Sequence, residues 1–103
     1  MNNTDNKIQE IDSLTLLQFY AEWCYPCKMM MPVVNTLKNK LENWLNVHQV
    51  DVDEEQNMAI QYRVRAVPTF VVLKNNQEVW RNSGVLSENQ LEEQLKALRW
   101  QVV

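Results

Sequence analysis

Two cysteines three residues apart, Cys24 and Cys27, are the side chains in this 103-residue sequence best suited to chemistry. Within a helical turn, that spacing brings the Cα atoms to roughly 5–6 Å, a separation a disulfide accepts. Such a pair can open and close with little backbone motion. Cys24 falls at the start of a predicted helix, where unpaired N–H groups and the positive end of the helix dipole favour a thiolate over a thiol. The thiolate is the nucleophile of disulfide exchange. Cys24 is therefore expected to attack a substrate disulfide and form a mixed disulfide. Cys27, one turn further in and less exposed, is expected to attack Cys24 and release the reduced substrate.

On the residues alone, two other uses of the pair stay open. A permanent local disulfide closing so short a loop would contribute only about 2 kcal/mol, against about 3 for a 15-residue loop. Half of a zinc site would supply two of four ligands, but the single histidine, His48, is remote in sequence. Such a site would have to be shared between two chains. Two cysteines are also too few for the disulfide framework of a small secreted module.

Composition narrows the field further. A formal net charge of −3 argues against nucleic acid or an anionic membrane surface as partner. No apolar run approaches the roughly 18 residues of a membrane span. Residues 1–6 (MNNTDN) read as a frayed end without the basic-then-apolar order of a signal peptide. A cytoplasmic location is the expectation; a periplasmic or secreted one would require that a signal had been removed. With 46% apolar and 22% charged residues, the chain is expected to form one domain over residues 1–103, with no room for a second core.

The elements that must position the cysteines follow from periodicity. Residues 14–20 (LTLLQFY) read as a buried strand, with Gln18 its odd member. A helix is expected from Cys24 to about Asn43, with Pro26 tolerated in its first turn and Pro32 kinking its interior. Met30, Val33, Val34, Leu37 and Leu41 give it one apolar face. Residues 45–53 alternate as a second strand, and residues 55–62 read as a short helix with Met58, Ala59 and Tyr62 inward. Residues 69–73 (TFVVL) make a third strand, residues 74–77 (KNNQ) a hairpin turn, and residues 78–82 the returning strand. Ser87 and Gln90 fit a capping box opening a last helix, with Leu91, Leu95, Leu98 and Val102 as its docking stripe. A weak helical turn is expected over residues 7–12. The order β-α-β-α-β-β-α predicts an α/β fold: a mixed four-stranded sheet with helices on both faces. Both helical crossovers are expected to be right-handed.

The segment Phe19-Tyr20-Ala21-Glu22-Trp23-Cys24-Tyr25-Pro26-Cys27-Lys28-Met29 resembles the active-site segment of thioredoxins. Pro32 matches the helix-kinking proline of that family, and Val50-Asp51-Val52-Asp53 resembles its central strand end. Arg65-Ala66-Val67-Pro68-Thr69-Phe70 resembles the segment carrying its cis-proline, and Gly84-Val85-Leu86-Ser87 the approach to its last helix. The resemblance spans about residues 14–100 in order. It implies a thioredoxin fold and a cis Val67–Pro68 bond facing the cysteines, with the Val67 backbone free to pair with an extended substrate strand. Trp23, Tyr25, Pro26, Val67 and Pro68 would shape the substrate groove, and Gly84 and Val85 its far wall. It implies no bound cofactor beyond the redox-active Cys24–Cys27 disulfide. Protein disulfides are the implied substrates, and an NADPH-dependent flavoprotein thioredoxin reductase is the implied electron source.

The chain also departs from that pattern. Tyr25 stands where thioredoxins typically carry glycine, placing an amphipathic ring at the lip of the site. Gln18 stands at the family's buried aspartate, the proton acceptor for the resolving cysteine, and Gln49 at the nearby lysine. A hydrogen-bonded Gln18–Gln49 pair is expected in place of those charges, leaving the thiols without an internal base. Only about 13 residues precede the first strand, so the family's extra N-terminal strand is expected to be absent or vestigial. The second strand would then be an exposed edge, giving a monomer with weak self-association.

Smaller expectations complete the reading. Trp23 is a rigid wall packed beside Cys24; Lys28 is solvated; a Met exposed beside the motif would mark substrate contact. Trp44, Trp80 and Trp100 belong to core or rim, and His48 is packed or capped. Gly84, the sole glycine, permits a close approach behind the groove. Two rivals remain: an extracytoplasmic thiol oxidase or isomerase, and an interaction or chaperone module using the same fold.

Overall fold

The computed structural model describes residues 13–101. The expected frayed start, the turn over residues 7–12, the vestigial strand and the docking of Val102 lie outside them. The elements are β1 (Leu14–Tyr20), α1 (Tyr25–Lys40), β2 (Leu45–Asp51), α2 (Gln56–Gln61), β3 (Thr69–Lys74), β4 (Gln77–Ser83) and α3 (Glu88–Arg99). The sheet order is β2-β1-β3-β4. β1 pairs parallel with β2, from Leu14 opposite Leu45 to Tyr20 opposite Asp51. β3 runs antiparallel to both β1 and β4.

This is the mixed sheet that the element order predicts, with one correction. The second crossover carries the chain from β2 to an antiparallel β3, so the handedness rule for parallel βαβ units applies only to the first. Among the described residues β2 pairs only with β1.

Strand alternation and helix periodicity divide the core between the two faces. Leu14, Leu16, Phe70 and Val72 point to one face and meet Met30, Val34, Leu37 and Leu41 of the α1 side and Leu91, Leu95 and Leu98 of α3. Leu17, Phe19, Val50 and Val71 point to the other, where Met58 and Tyr62 of the α2 region cover them. β1 is covered on both faces, which is why its sequence is almost continuously apolar.

Several boundaries differ from the sequence reading, each for a local reason. α1 stops at Lys40 rather than near Asn43. The N–H groups of Trp44 and Leu45 both reach back to the Leu41 carbonyl, at 3.1 and 2.9 Å, and turn the chain into β2. β2 stops at Asp51 rather than Asp53. The Asp51 carboxylate accepts from the N–H groups of Asp53 (2.9 Å) and Glu54 (3.3 Å) and bends the chain out of the sheet. The hairpin turn is Asn75-Asn76, both at positive φ (54° and 65°), a region asparagine tolerates. Lys74, expected in that turn, is instead the buried last residue of β3. The capping box at Ser87 forms as expected: Ser87 Oγ accepts from Gln90 N–H (3.1 Å), and Gln90 Oε1 accepts from Ser87 N–H (3.0 Å).

Candidate active site

Cys24 is the N-cap of α1, and Cys27 sits in its first turn. The two form a disulfide with a Cα–Cα separation of 5.3 Å. Cys24 Sγ accepts a hydrogen bond from Cys27 N–H at 3.2 Å. That N–H is one of the donors a helix start leaves without an internal partner, so the sulfur takes the place of a capping oxygen. The same donor would stabilise a thiolate after reduction. Tyr20, Ala21, Val52 and Val67 enclose the pair. Cys24 is the less buried residue of the two, as expected, but narrowly: 4% against 1% exposed.

The Val67–Pro68 bond is cis. Val67 packs on the cysteine cluster, and the Pro68 carbonyl accepts from Gly84 N–H at 2.9 Å. Thr69 Oγ1 lies 2.6 Å from the Ala66 carbonyl and 2.9 Å from Ser83 Oγ, which ties down the loop leading to the proline. Val85 is exposed beyond Gly84. The expected reason for Gly84 is corrected. A Cβ added there would meet nothing within 4 Å, whereas its φ of +105° is one that residues with side chains rarely adopt. The backbone angle, not a close approach, calls for glycine.

Trp23 is also corrected in part. Its indole is 72% exposed rather than packed against Cys24. It is held in place by a hydrogen bond from Nε1–H to Asp53 Oδ2 at 3.0 Å. The sequence reading missed this role of Asp53. Its signal would have been a carboxylate just past the strand that ends beside the cysteines. Tyr25 is equally exposed, and Pro26 and Lys28 are exposed beside it. Met29, one turn beyond Tyr25, is 52% exposed, which meets the condition set for a methionine beside the motif.

Gln18 and Gln49 form the expected neutral pair. Gln49 Nε2–H donates to Gln18 Oε1 at 2.9 Å and lies 3.4 Å from Met31 Sδ. Gln18 is wholly buried, and among the described residues its own Nε2 has no hydrogen-bond partner. The pair lies below the disulfide. Gln18 shares a strand face with Tyr20, which touches the cysteine cluster, and Met31 follows Cys27 by one helical turn.

The flank beyond Tyr20 is acidic. Burial raises the Tyr20 hydroxyl above its usual pKa, and the carboxylates of Asp51, Glu22, Glu55 and Glu54 raise it further. His48 is exposed rather than packed, and its Nε2 lies 3.9 Å from Glu55 Oε1. Trp44 and Trp80 pack on the core rim, whereas Trp100 is exposed with the Arg99 guanidinium 4.6 Å from its ring. Among the described residues no group of three or more His, Cys, Asp or Glu could hold a metal ion. No helix among them is long and apolar enough to cross a membrane.

Comparison with known proteins agrees with this geometry. The chloroplastic thioredoxin Y2 of Arabidopsis thaliana is 34% identical over 95 residues, covering 92% of this chain and 57% of the relative. The chain thus spans little more than half the length of that protein. Thioredoxin of Rickettsia felis is 32% identical over 82% of this chain and 81% of its own length. A mutant thioredoxin from Halobacterium salinarum superposes with a TM-score of 0.81 at 32% identity, covering 100% of this chain and 89% of that one. The thioredoxin family model matches residues 1–97, and together with these likenesses of sequence and fold it shows that the chain belongs to the thioredoxin family.

Proposed function

We propose that the chain is a thiol–disulfide oxidoreductase that reduces protein disulfides through Cys24 and Cys27. The observation that carries this reading is the Cys24 sulfur at the α1 N-cap, bonded to Cys27 and accepting the Cys27 N–H. Once reduced, the pair has a nucleophile biased toward thiolate and a second thiol one turn behind it. Cys24 attacks the substrate disulfide, one substrate sulfur leaves as a thiol, and a mixed disulfide forms. Cys27 then displaces the second substrate sulfur and regenerates the Cys24–Cys27 disulfide. Two electrons and two protons pass from the dithiol to the substrate.

The cis Val67–Pro68 bond supports a groove in which the Val67 backbone pairs with an extended substrate segment. Trp23, Tyr25, Pro26, Gly84 and Val85 surround it. A flavoprotein reductase drawing on NADPH restores the dithiol, in a reducing compartment that we take to be the cytoplasm. The net direction rests on potential: a value near about −270 mV makes the chain a reductant, and one near about −120 mV an oxidant.

The test is reduction of a protein disulfide coupled to NADPH consumption by a thioredoxin reductase. Cys24→Ser should fall to the uncatalysed rate, and Cys27→Ser should accumulate a mixed disulfide visible by mass. Undiminished turnover in Cys24→Ser would overturn the proposal.

A further inference from the structure

Beside the disulfide lies a cleft that carries a single charge, Arg65. Trp23, Val52, Val64, Arg65, Ala66 and Val67 line a space of 160 Å³, on the scale of one apolar side chain. Val52 and Val67 also pack on the cysteine cluster, so the cleft and the disulfide share these two side chains. Its walls are fixed. Trp23 is tethered to Asp53 at 3.0 Å, and Val64 N–H is bonded to the Ala59 carbonyl at 2.9 Å.

Arg65 is exposed at this apolar lining, and among the described residues it makes no hydrogen bond or ion pair. Arg81, by contrast, is held by Glu78, and Arg99 stacks on Trp44 and Trp100. Asp53, which holds the Trp23 indole, lines a separate surface depression with Glu54 and Glu55 and not this cleft. A substrate segment lying in the cleft therefore meets apolar walls and one unpaired positive charge, Arg65.

We propose that this cleft selects protein disulfides in which an apolar side chain next to the reacting cysteine is followed by a carboxylate. The apolar side chain enters between Trp23 and Val64–Val67, and the carboxylate pairs with Arg65. This rests on the disulfide-exchange reading above and adds the substrate's chemistry to it. The reaction is unchanged: the Cys24 and Cys27 thiols are oxidised to their disulfide, and the substrate disulfide leaves as two thiols.

The test uses the reduced full chain and four disulfide peptides that differ only beside one cysteine: Leu-Glu, Leu-Gln, Leu-Lys and Gly-Glu. At low salt, the second-order rate constant for peptide reduction should fall in the order Leu-Glu, Leu-Gln, Leu-Lys, with about a 3-fold step for each change of charge. The steps should shrink toward unity at about 0.5 M salt, because an exposed pair is screened. Gly-Glu should react more slowly than Leu-Glu at either salt. Arg65→Glu should reverse the order of the three leucine peptides. Equal rates across them, a preference for lysine in the parent protein, or an unaltered order in Arg65→Glu would each overturn the inference while leaving disulfide exchange standing. Failure to reduce any peptide, the neutral one included, would overturn both.

Discussion

Gln18 and Lys74 lie on neighbouring strands, face the same helices, and are both all but excluded from solvent, at 0% and 2% exposed. Yet their hydrogen-bonding capacity is met in opposite ways. The Lys74 ammonium donates to the carbonyls of Leu98 (3.2 Å), Arg99 (2.7 Å) and Gln101 at the C-terminal end of α3. Three donors meet three acceptors, at the helix end whose partial negative charge suits a cation. Gln18 uses its oxygen with Gln49, and its buried amide N–H groups find no acceptor among the described residues. Lys74 lies at the pole away from the disulfide, and Gln18 beneath it. A charge that is fully met serves stability. A neutral group that uses only part of its hydrogen-bonding capacity within the protein contributes less.

The largest effect should come from breaking the satisfied member. Lys74→Met keeps the length and apolar stem but strands carbonyls at the end of α3. A loss of about 2–4 kcal/mol is expected, which for a chain of this size lowers the melting temperature by roughly 10–20 °C. Gln18→Leu removes an acceptor from Gln49 but also removes the orphaned donor, so its cost should stay below about 1 kcal/mol. Urea denaturation of the two variants tests the contrast directly. Equal losses would mean that satisfaction of the buried group does not set its contribution.

The order should reverse for activity. Gln18→Asp places an ionisable group in a wholly buried site beneath the disulfide. Burial raises its pKa, so the folded state is favoured below the pKa of the unfolded chain, and that advantage is lost as pH rises through the folded value. A carboxylate can also accept a proton from Cys27 where an amide cannot. The variant should resolve mixed disulfides faster, by about 10-fold, with a new pH dependence absent from the parent. Stopped-flow reduction of a protein disulfide across pH 5–9 reads this, and an unchanged rate and profile would refute it. Lys74→Met, measured at a temperature where it stays folded, should exchange at the parent rate.

These contrasts also explain what the sequence makes legible. The cysteine pair and the capping box are written in spacing alone, because each depends on residues within one turn of one another, and the two core faces are legible in the apolar period of each element. The Gln18–Gln49 pair is legible only through the family pattern, since 31 residues separate its members. Lys74 is misread as a turn residue because its composition fits KNNQ, while its carbonyl partners lie 24 or more residues away. The Asp53 tether of Trp23 is hidden for the same reason: an exposed indole and a packed one share the same residue type. Gly84 shows the complementary limit. Its position is noticed, but φ, which decides its identity, belongs to the folded backbone.

Glu92 sharpens the comparison with a third case, a buried charge satisfied by other charges. Its carboxylate meets Lys96 at 2.8 Å and Lys40 at 2.9 Å, and joins α3 to the end of α1. Hydrogen bonds from Lys96, then from Lys40, hold the Glu92 pKa below its usual 4.5, and the Glu92 hydrogen bond holds Lys40 above its usual 10.5. The signs follow. The contribution of Glu92 is present above the unfolded value near 4.5 and is lost as pH falls through the lower folded value. That of Lys40 is present below 10.5 and is lost as pH rises through the higher folded value. Both lysines are more than half exposed, so the energies are modest and screened by salt. The Lys74 acceptors, being carbonyls, neither titrate in the acid range nor carry a charge for salt to screen. Urea midpoints measured from pH 3 to 7 should therefore show an acid limb that Glu92→Gln flattens and Lys74→Met leaves in place. If Glu92→Gln keeps the full acid limb, the carboxylates responsible lie elsewhere, with the Arg81-bound Glu78, whose pKa is also lowered, as the first to examine.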